Sequence, residues 1–168
     1  MAKPNPVVGV VMGSDSDLET MRRCFDQLKQ FDIPYETRII SAHRTPDTAH
    51  EYARSAADRG LKVIVAAAGM SAALSGVLAA KTVLPVIGVP IASGPLKGID
   101  AFLSTMQMPP GVPVACMAIG EAGATNAAIL AAEILALQDA DMASKLGQFK
   151  KAQAEKVLSK DQQLGNAN

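Results

Sequence analysis

Short apolar runs alternate along the chain with longer stretches in which apolar residues recur every three or four positions. Residues 7–12, 61–67 and 86–90 are almost continuously apolar. Such runs suit strands buried on both faces of a parallel sheet. After the first of them, Leu18, Met21, Phe25 and Leu28 repeat at helical spacing as far as Phe31. That periodicity predicts an amphipathic helix. Ile33-Pro34 reads as a turn into an alternating strand over residues 35–40. A second helix is expected over 47–59, opened by Thr45 as N-cap and Pro46 at the first helical position, and closed by Gly60. A small-residue helix should run from the 68–76 loop to about Val83, and a short one over 99–106. A proline-rich connection at 108–113 leads to a fifth strand over 114–119. Residues 126–137 form an alanine-rich helical pattern without a broad polar face, which implies burial. A charged, amphipathic final helix is expected over 139–159, with 162–168 fraying.

This alternation of strand and helix predicts an α/β fold, a parallel sheet with helices on both faces. No internal repeat and no interdomain linker is visible. The expectation is a single domain over residues 1–168, with an α/β core at 7–137 and a C-terminal helix at 139–160.

In such a sheet, ligands sit at the carboxyl ends of the strands, near a switch in strand order. Three strand-to-helix loops lie at that edge: 13–17, 41–46 and 68–76. The first, Gly-Ser-Asp-Ser-Asp, offers backbone N–H groups and hydroxyls that suit a phosphate. It also offers Asp17, whose carboxylate can accept hydrogen bonds from sugar hydroxyls. Ser16 and Glu19 have capping-box spacing, so capping alone also accounts for this loop. The second loop holds Ser41, Ala42, His43 and Arg44. A histidine titrates near neutral pH and can give and take a proton. An arginine beside a helix N-terminus suits a phosphate. A lone histidine often only packs or caps; the convergence of three loops on one edge favours chemistry instead. His50, on the second helix, reads as a solvated residue. No cluster of His, Cys, Asp and Glu has metal-ligand spacing, and there is no nucleophile elbow.

Charge and cysteine content narrow the classes. Lysine plus arginine and aspartate plus glutamate number 16 each, for a net charge of zero. Nothing suggests a nucleic-acid or membrane surface, so an anionic ligand must be held locally. Cys24 and Cys116 are not in a Cys-x-x-Cys motif and read as reduced thiols of a cytoplasmic protein. The first six residues lack the apolar run of a signal peptide. No run of about 18 apolar residues appears, so no membrane span is expected. Hydrophobic content is 49% but aromatic content only 4%, and alanine is abundant. Small side chains imply tight helix–sheet packing and extensive subunit contacts.

Three stretches together resemble the PurE family: Gly13-Ser14-Asp15-Ser16-Asp17, Ser41-Ala42-His43-Arg44-Thr45-Pro46, and Gln107-Met108-Pro109-Pro110-Gly111-Val112-Pro113-Val114. Pro85-Val86-Ile87-Gly88-Val89-Pro90 and Asn126-Ala127-Ala128-Ile129-Leu130-Ala131-Ala132 extend the likeness, which runs from about Val7 to the last helix. The resemblance implies an N5-carboxyaminoimidazole ribonucleotide mutase of purine biosynthesis, with a flavodoxin-like three-layer αβα fold. It implies a homo-octamer with active sites at subunit contacts, and neither a metal nor an organic cofactor. Carried over, Ser14 and Arg44 bind the phosphate and Asp17 the ribose, with Ser41 and the Ala42 backbone nearby. His43 is the proton carrier, and Gly69, Ser71 and Leu74 complete the substrate-binding set. One imidazole can act as acid and then as base while a carboxylate moves from nitrogen to carbon. The small, apolar segment 66–76 forms a dry pocket that retains carbon dioxide.

One loop departs from the family pattern. Bacterial mutases usually read Gly-Gly-Ala-Ala-His-Leu-Pro-Gly, whereas this chain reads Gly69-Met70-Ser71-Ala72-Ala73-Leu74-Ser75-Gly76. Ala73 stands where a second histidine is usual, and Ser75 where a proline is. Ser71, Ala73, Leu74, Ser75 and Gly76 are instead similar to the carbon-dioxide-using, animal-like branch. Residues 44–46 and 107–114 are mutase-like. The expectation is a mutase, with hydroxyls of Ser71 or Ser75 replacing part of the missing hydrogen bonding. The alternatives are a carboxylase acting on aminoimidazole ribonucleotide, and a non-catalytic nucleotide-binding relative.

Overall fold

A computed structural model describes residues 5–165. The chain divides into two compact units, Met1–Ala131 and Ala132–Asn168. The first unit is built on a five-stranded sheet of order β2-β1-β3-β4-β5. Its strands are β1 (Val8–Met12), β2 (Tyr35–Ile39), β3 (Val63–Gly69), β4 (Val86–Ile91) and β5 (Ala115–Cys116). Every pairing is parallel; Val10 faces Thr37 on one side and Val65 on the other. All five residues of β1 and all six of β4 are buried, as strands covered on both faces must be. The helices are α1 (Leu18–Gln30), α2 (Pro46–Ser55), α3 (Leu74–Ala79), α4 (Ile99–Met106), α5 (Glu121–Ala136) and α6 (Ala140–Gly165).

The strand order carries the functional geometry. The chain steps from β1 out to β2, then crosses back past β1 to β3 and continues outward. β1 and β3 therefore flank the switch point, where loops leave the sheet in opposite directions and open a crevice. The loops after β1, β2 and β3 are the three singled out by sequence.

One core cluster joins Val11, Ile40, Ile64 and Val86 to Ala49, Tyr52 and Ala53 of α2 and Leu74 and Leu78 of α3. Tyr52 reaches the sheet because position 9 is glycine: a Cβ there would lie 2.2 Å from the Tyr52 hydroxyl. Arg59 stacks over the outer part of this ring, 4.8 Å from its centroid, and pairs with Glu36 at 2.6 Å. The Tyr52 hydroxyl is buried beside Glu36 and Arg59, without a well-formed hydrogen bond to either.

Several boundaries differ from the periodicity-based expectation. α2 ends at Ser55, and the following turns close at Gly60, whose φ is 93°. There Gly60 N–H bonds to Ala57 O and Leu61 N–H to Ala56 O, the paired bonds of a glycine-terminated helix end. α3 stops at Ala79, well short of Val83, because Thr82 Oγ1 takes the Leu84 N–H at 3.2 Å and turns the chain. β5 spans only two residues of the expected six-residue stretch 114–119. It is an edge strand, and beyond it the Ala118 backbone folds against the start of α5, where a Cβ on Gly123 would lie 1.7 Å from the Ala118 oxygen. That close approach lets α5 begin at Glu121 rather than at residue 126. Its alanines Ala124, Ala127, Ala128, Ala131 and Ala132 are fully buried, as its lack of a polar face implied.

In the second unit, α6 extends to Gly165, so residues 162–165 are helical rather than frayed. The segment before Gly165 is rich in alanine, glutamine, lysine and leucine and has neither glycine nor proline after Gly147. The rest of the expected frayed segment, 166–168, lies outside the described residues. Lys150 pairs with Glu133 at 2.6 Å within this unit.

Candidate active site

After β1 the chain enters one short 3-10 turn, Asp15–Asp17, before α1 begins. The capping box forms here, between Ser14 and Asp17, and not between Ser16 and Glu19. Ser14 N–H donates to Asp17 Oδ2 at 3.1 Å, and Ser16 N–H donates to Ser14 Oγ at 3.3 Å. The extra turn moves the helix start back to Ser14, which is why the more downstream pair is not used. It also draws Asp17 inward until only 4% of it is exposed. Burial pushes the Asp17 carboxyl above its ordinary value, against the lowering effect of bonds from Ser14, Ser16 and Gly13.

The loop after β2 is closed on itself. Thr45 N–H and hydroxyl both donate to Ser41 O, at 2.8 and 3.0 Å, and Thr45 Oγ1 accepts from Ser41 N–H at 3.1 Å. Thr45 occupies the N-cap position as expected, yet its side chain makes no bond to the helix. Its hydroxyl is committed to holding the loop. Ser41 Oγ accepts from Arg44 N–H at 3.2 Å and from Arg44 Nε at 3.4 Å. Arg44 Nη2 crosses to the Gly13 carbonyl at 3.4 Å, so one guanidinium joins the first two loops. No carboxylate pairs with Arg44 among the described residues, which leaves its charge available to an anion. His43 is exposed at the same rim.

The loop after β3 turns sharply at Met70, whose φ is 56°. Two tight bonds follow, Ala72 N–H to Met70 O at 2.9 Å and Ala73 N–H to Ser71 O at 2.7 Å. They present Ser71 to solvent and bring Ala73 and Leu74 to the crevice wall. Ser75 goes the other way. It is 3% exposed and does not line the cavity, because it begins the inward face of α3. Of the two hydroxyls expected to compensate for Ala73, only Ser71 is in place.

These loops enclose one open cavity of about 670 Å³. Ser14, Asp17, Ser41, Ala42, His43, Arg44, Gly69, Ser71 and Leu74 all line it, as do Ala68, Met70 and Ala73. His50 does not. The fold thus assembles the residues that sequence reasoning selected from three loops. It adds Ser93, from the loop after β4, which that reasoning passed over. The signal was the position of this loop at the same sheet edge, but its adjacency to the β3 loop needs the strand order. Among the described residues, no group of three or more His, Cys, Asp and Glu side chains could hold a metal ion. The cavity offers a cation for an anion, a carboxylate for hydroxyls, an imidazole for proton transfer, and an apolar wall.

A family model described as AIR carboxylase matches residues 7–156. The N5-carboxyaminoimidazole ribonucleotide mutase of Bacillus subtilis is 53% identical over 159 residues, covering 95% of this chain and 98% of that protein. The protein of the same name from Pyrococcus abyssi is 53% identical over 145 residues, 86% of this chain and 82% of its own length. The crystal structure of Treponema denticola PurE superposes with a TM-score of 0.84 at 33% identity, covering 95% of this chain and 98% of that one. Matched across its sheet, its helices and all the loops of the cavity, the chain belongs to the AIR carboxylase (PurE) family.

Proposed function

We propose that the chain is an N5-carboxyaminoimidazole ribonucleotide mutase, converting its substrate to 4-carboxyaminoimidazole ribonucleotide in purine biosynthesis. The observation that carries this reading is the convergence of Arg44, Asp17 and His43 on one cavity at the strand-order switch, in a chain half-identical to proteins of that name. In it, Arg44 and the Ser14 loop hold the phosphate, Asp17 accepts from the ribose hydroxyls, and Ser41 with the Ala42 backbone keeps the loop in place. His43 is the acid and then the base. The carbamate C–N bond breaks with its electron pair going to nitrogen, which takes a proton from His43. Carbon dioxide is held against the apolar wall of Ala68, Ala73 and Leu74. Carbon C4 attacks it, and the C4 proton passes to the now neutral imidazole, restoring aromaticity.

Residues 1–168 act in this reading as one functional domain, in the cytoplasm. No helix among the described residues is long and apolar enough to cross a membrane. The active form is a homo-oligomer, an octamer by resemblance to PurE. Support comes from α4, which exposes Ile99, Leu103 and Met106 on one face, 55%, 47% and 41% accessible. Residues 80–92 add little to it: apart from exposed Val83 and half-buried Leu84, their large apolar residues belong to the buried strand β4.

Ala73 in the cavity wall favours a second reading, carboxylation of aminoimidazole ribonucleotide by carbon dioxide. Turnover measured with the N5-carboxylated substrate, and separately with aminoimidazole ribonucleotide plus bicarbonate, at matched low concentrations, separates the two. Efficient use of the first is expected; use of the second alone moves the chain to the carboxylase branch. His43→Asn keeps hydrogen bonding without titrating, so it should abolish turnover while the nucleotide still binds. Near-wild-type rates in that variant would remove His43 from the chemistry.

A further inference from the structure

We infer that Ser93 binds the migrating carboxyl group, supplying a hydrogen bond that the alanine at position 73 cannot. This rests on the mutase reading above. The loops line up in strand order: the Arg44 loop after β2, the Asp17 loop after β1, the Gly69 loop after β3, and the Ser93 loop after β4. A ribonucleotide whose phosphate lies at Arg44 and Ser14 therefore extends its imidazole toward the β3–β4 end. The wall there is Ala68, Gly69, Ala73 and Leu74, apolar side chains and bare backbone. Two hydroxyls remain in it, Ser71 and Ser93. Ser71 is exposed at the rim, whereas Ser93 is half-buried.

The hydroxyl of Ser93 has a built position. A Cβ on Gly69 would lie 1.9 Å from Ser93 Oγ, so the glycine is what gives the serine its place in the wall. Ser93 N–H is fixed to Ile91 O at 2.9 Å, while its Oγ makes no hydrogen bond among the described residues. A fixed, unengaged donor facing an otherwise apolar wall suits one oxygen of a carboxylate. It holds that oxygen while the C–N bond breaks, while carbon dioxide is free, and when the C–C bond forms. His43 carries both protons and Ser93 carries none. Its effect is on retention: carbon dioxide held at one oxygen stays oriented toward C4 instead of escaping.

Retention is measured directly as a partition ratio. N5-carboxylated substrate is turned over with wild-type enzyme, Ser93→Ala and Ser93→Cys, and two products are counted: the C4-carboxylated nucleotide and free aminoimidazole ribonucleotide. Label from carbon-13 bicarbonate entering the carboxylated product is read in the same samples. Ser93→Ala should lower kcat about tenfold, the worth of one hydrogen bond of about 1.4 kcal/mol. It should also raise the free nucleotide fraction and the label incorporated. Ser93→Cys fills the same space with a weak donor and should shift the partition the same way; Ser93→Thr, which keeps the hydroxyl, should restore it. A partition unchanged in both Ser93→Ala and Ser93→Cys overturns the inference even if their rates fall. Wild-type enzyme that consumes no N5-carboxylated substrate overturns the mutase reading, and this inference with it.

Discussion

Asp17 shows what a carboxylate costs when it is drawn into a cavity wall. It is drawn to 4% exposure by a capping box, and burial raises its pKa from 3.8. A carboxyl whose folded pKa lies above its unfolded value favours folding fully only below the unfolded value. That contribution is lost as pH rises through the folded value. At neutral pH the buried charge is therefore a cost, which ribose hydroxyls would offset in the binding role proposed for Asp17. Asp17→Asn should gain thermal stability relative to wild type as pH goes from about 4 to about 7, while nucleotide affinity falls. A melting-temperature difference that does not change with pH would show that burial does not raise this carboxyl. The same residue marks how far sequence reaches. That Asp17, His43 and Arg44 would meet at one sheet edge was legible from residue type and loop position, and all three line the cavity. The box partner of Asp17 was not, since Ser14 and Ser16 both have capping spacing and only the 3-10 turn selects between them. Thr45 was placed at the right cap position, but its hydroxyl serves Ser41 instead.

At the scale of elements, strands and long amphipathic helices were legible because burial imposes their periods. α4 begins and ends where its pattern does. What failed were ends set by tertiary contact: β5 is cut short where Ala118 meets Gly123, and α3 by the turn at Thr82. Ser93 escaped notice for the same reason, since its place opposite Gly69 depends on β4 pairing with β3. The packing of α2 on β1 gives a test of such a contact. Gly9→Ala would bring a methyl to 2.2 Å from the Tyr52 hydroxyl and 3.0 Å from Leu61 Cδ1. The expected cost is about 1–3 kcal/mol of stability, as for other overpacked cores. Tyr52→Phe alone should change stability by less than about 1 kcal/mol, because the buried hydroxyl lies beside Glu36 and Arg59 without a well-formed hydrogen bond to either. Combined, the two should recover part of the loss from Gly9→Ala, measured by denaturant unfolding. A double variant no more stable than Gly9→Ala alone would show that the helix, not the hydroxyl, limits the approach.

At the scale of the whole molecule, α4 is, among the described residues, the one helix of the first unit that lines up three exposed large apolar residues on a single face. Ile99, Leu103 and Met106 follow one another at helical spacing, and Leu96 just before them is 59% accessible. α4 packs on β4 and β5 through Ala101 and Thr105, so its other face has no role within the unit. The homo-oligomer proposed above would cover this face with a second copy of the chain. Light scattering at micromolar concentration should report a mass well above that of one chain, and Leu103→Glu should lower it. A buried charge without a counter-ion costs several kcal/mol per interface, multiplied around a closed assembly. If subunit contacts also shape the cavity, the variant should lose turnover together with mass, while its far-ultraviolet circular dichroism stays that of the folded chain. A wild-type monomer would refute the assembly outright. An intact oligomer in Leu103→Glu would place the contact on another face of the molecule.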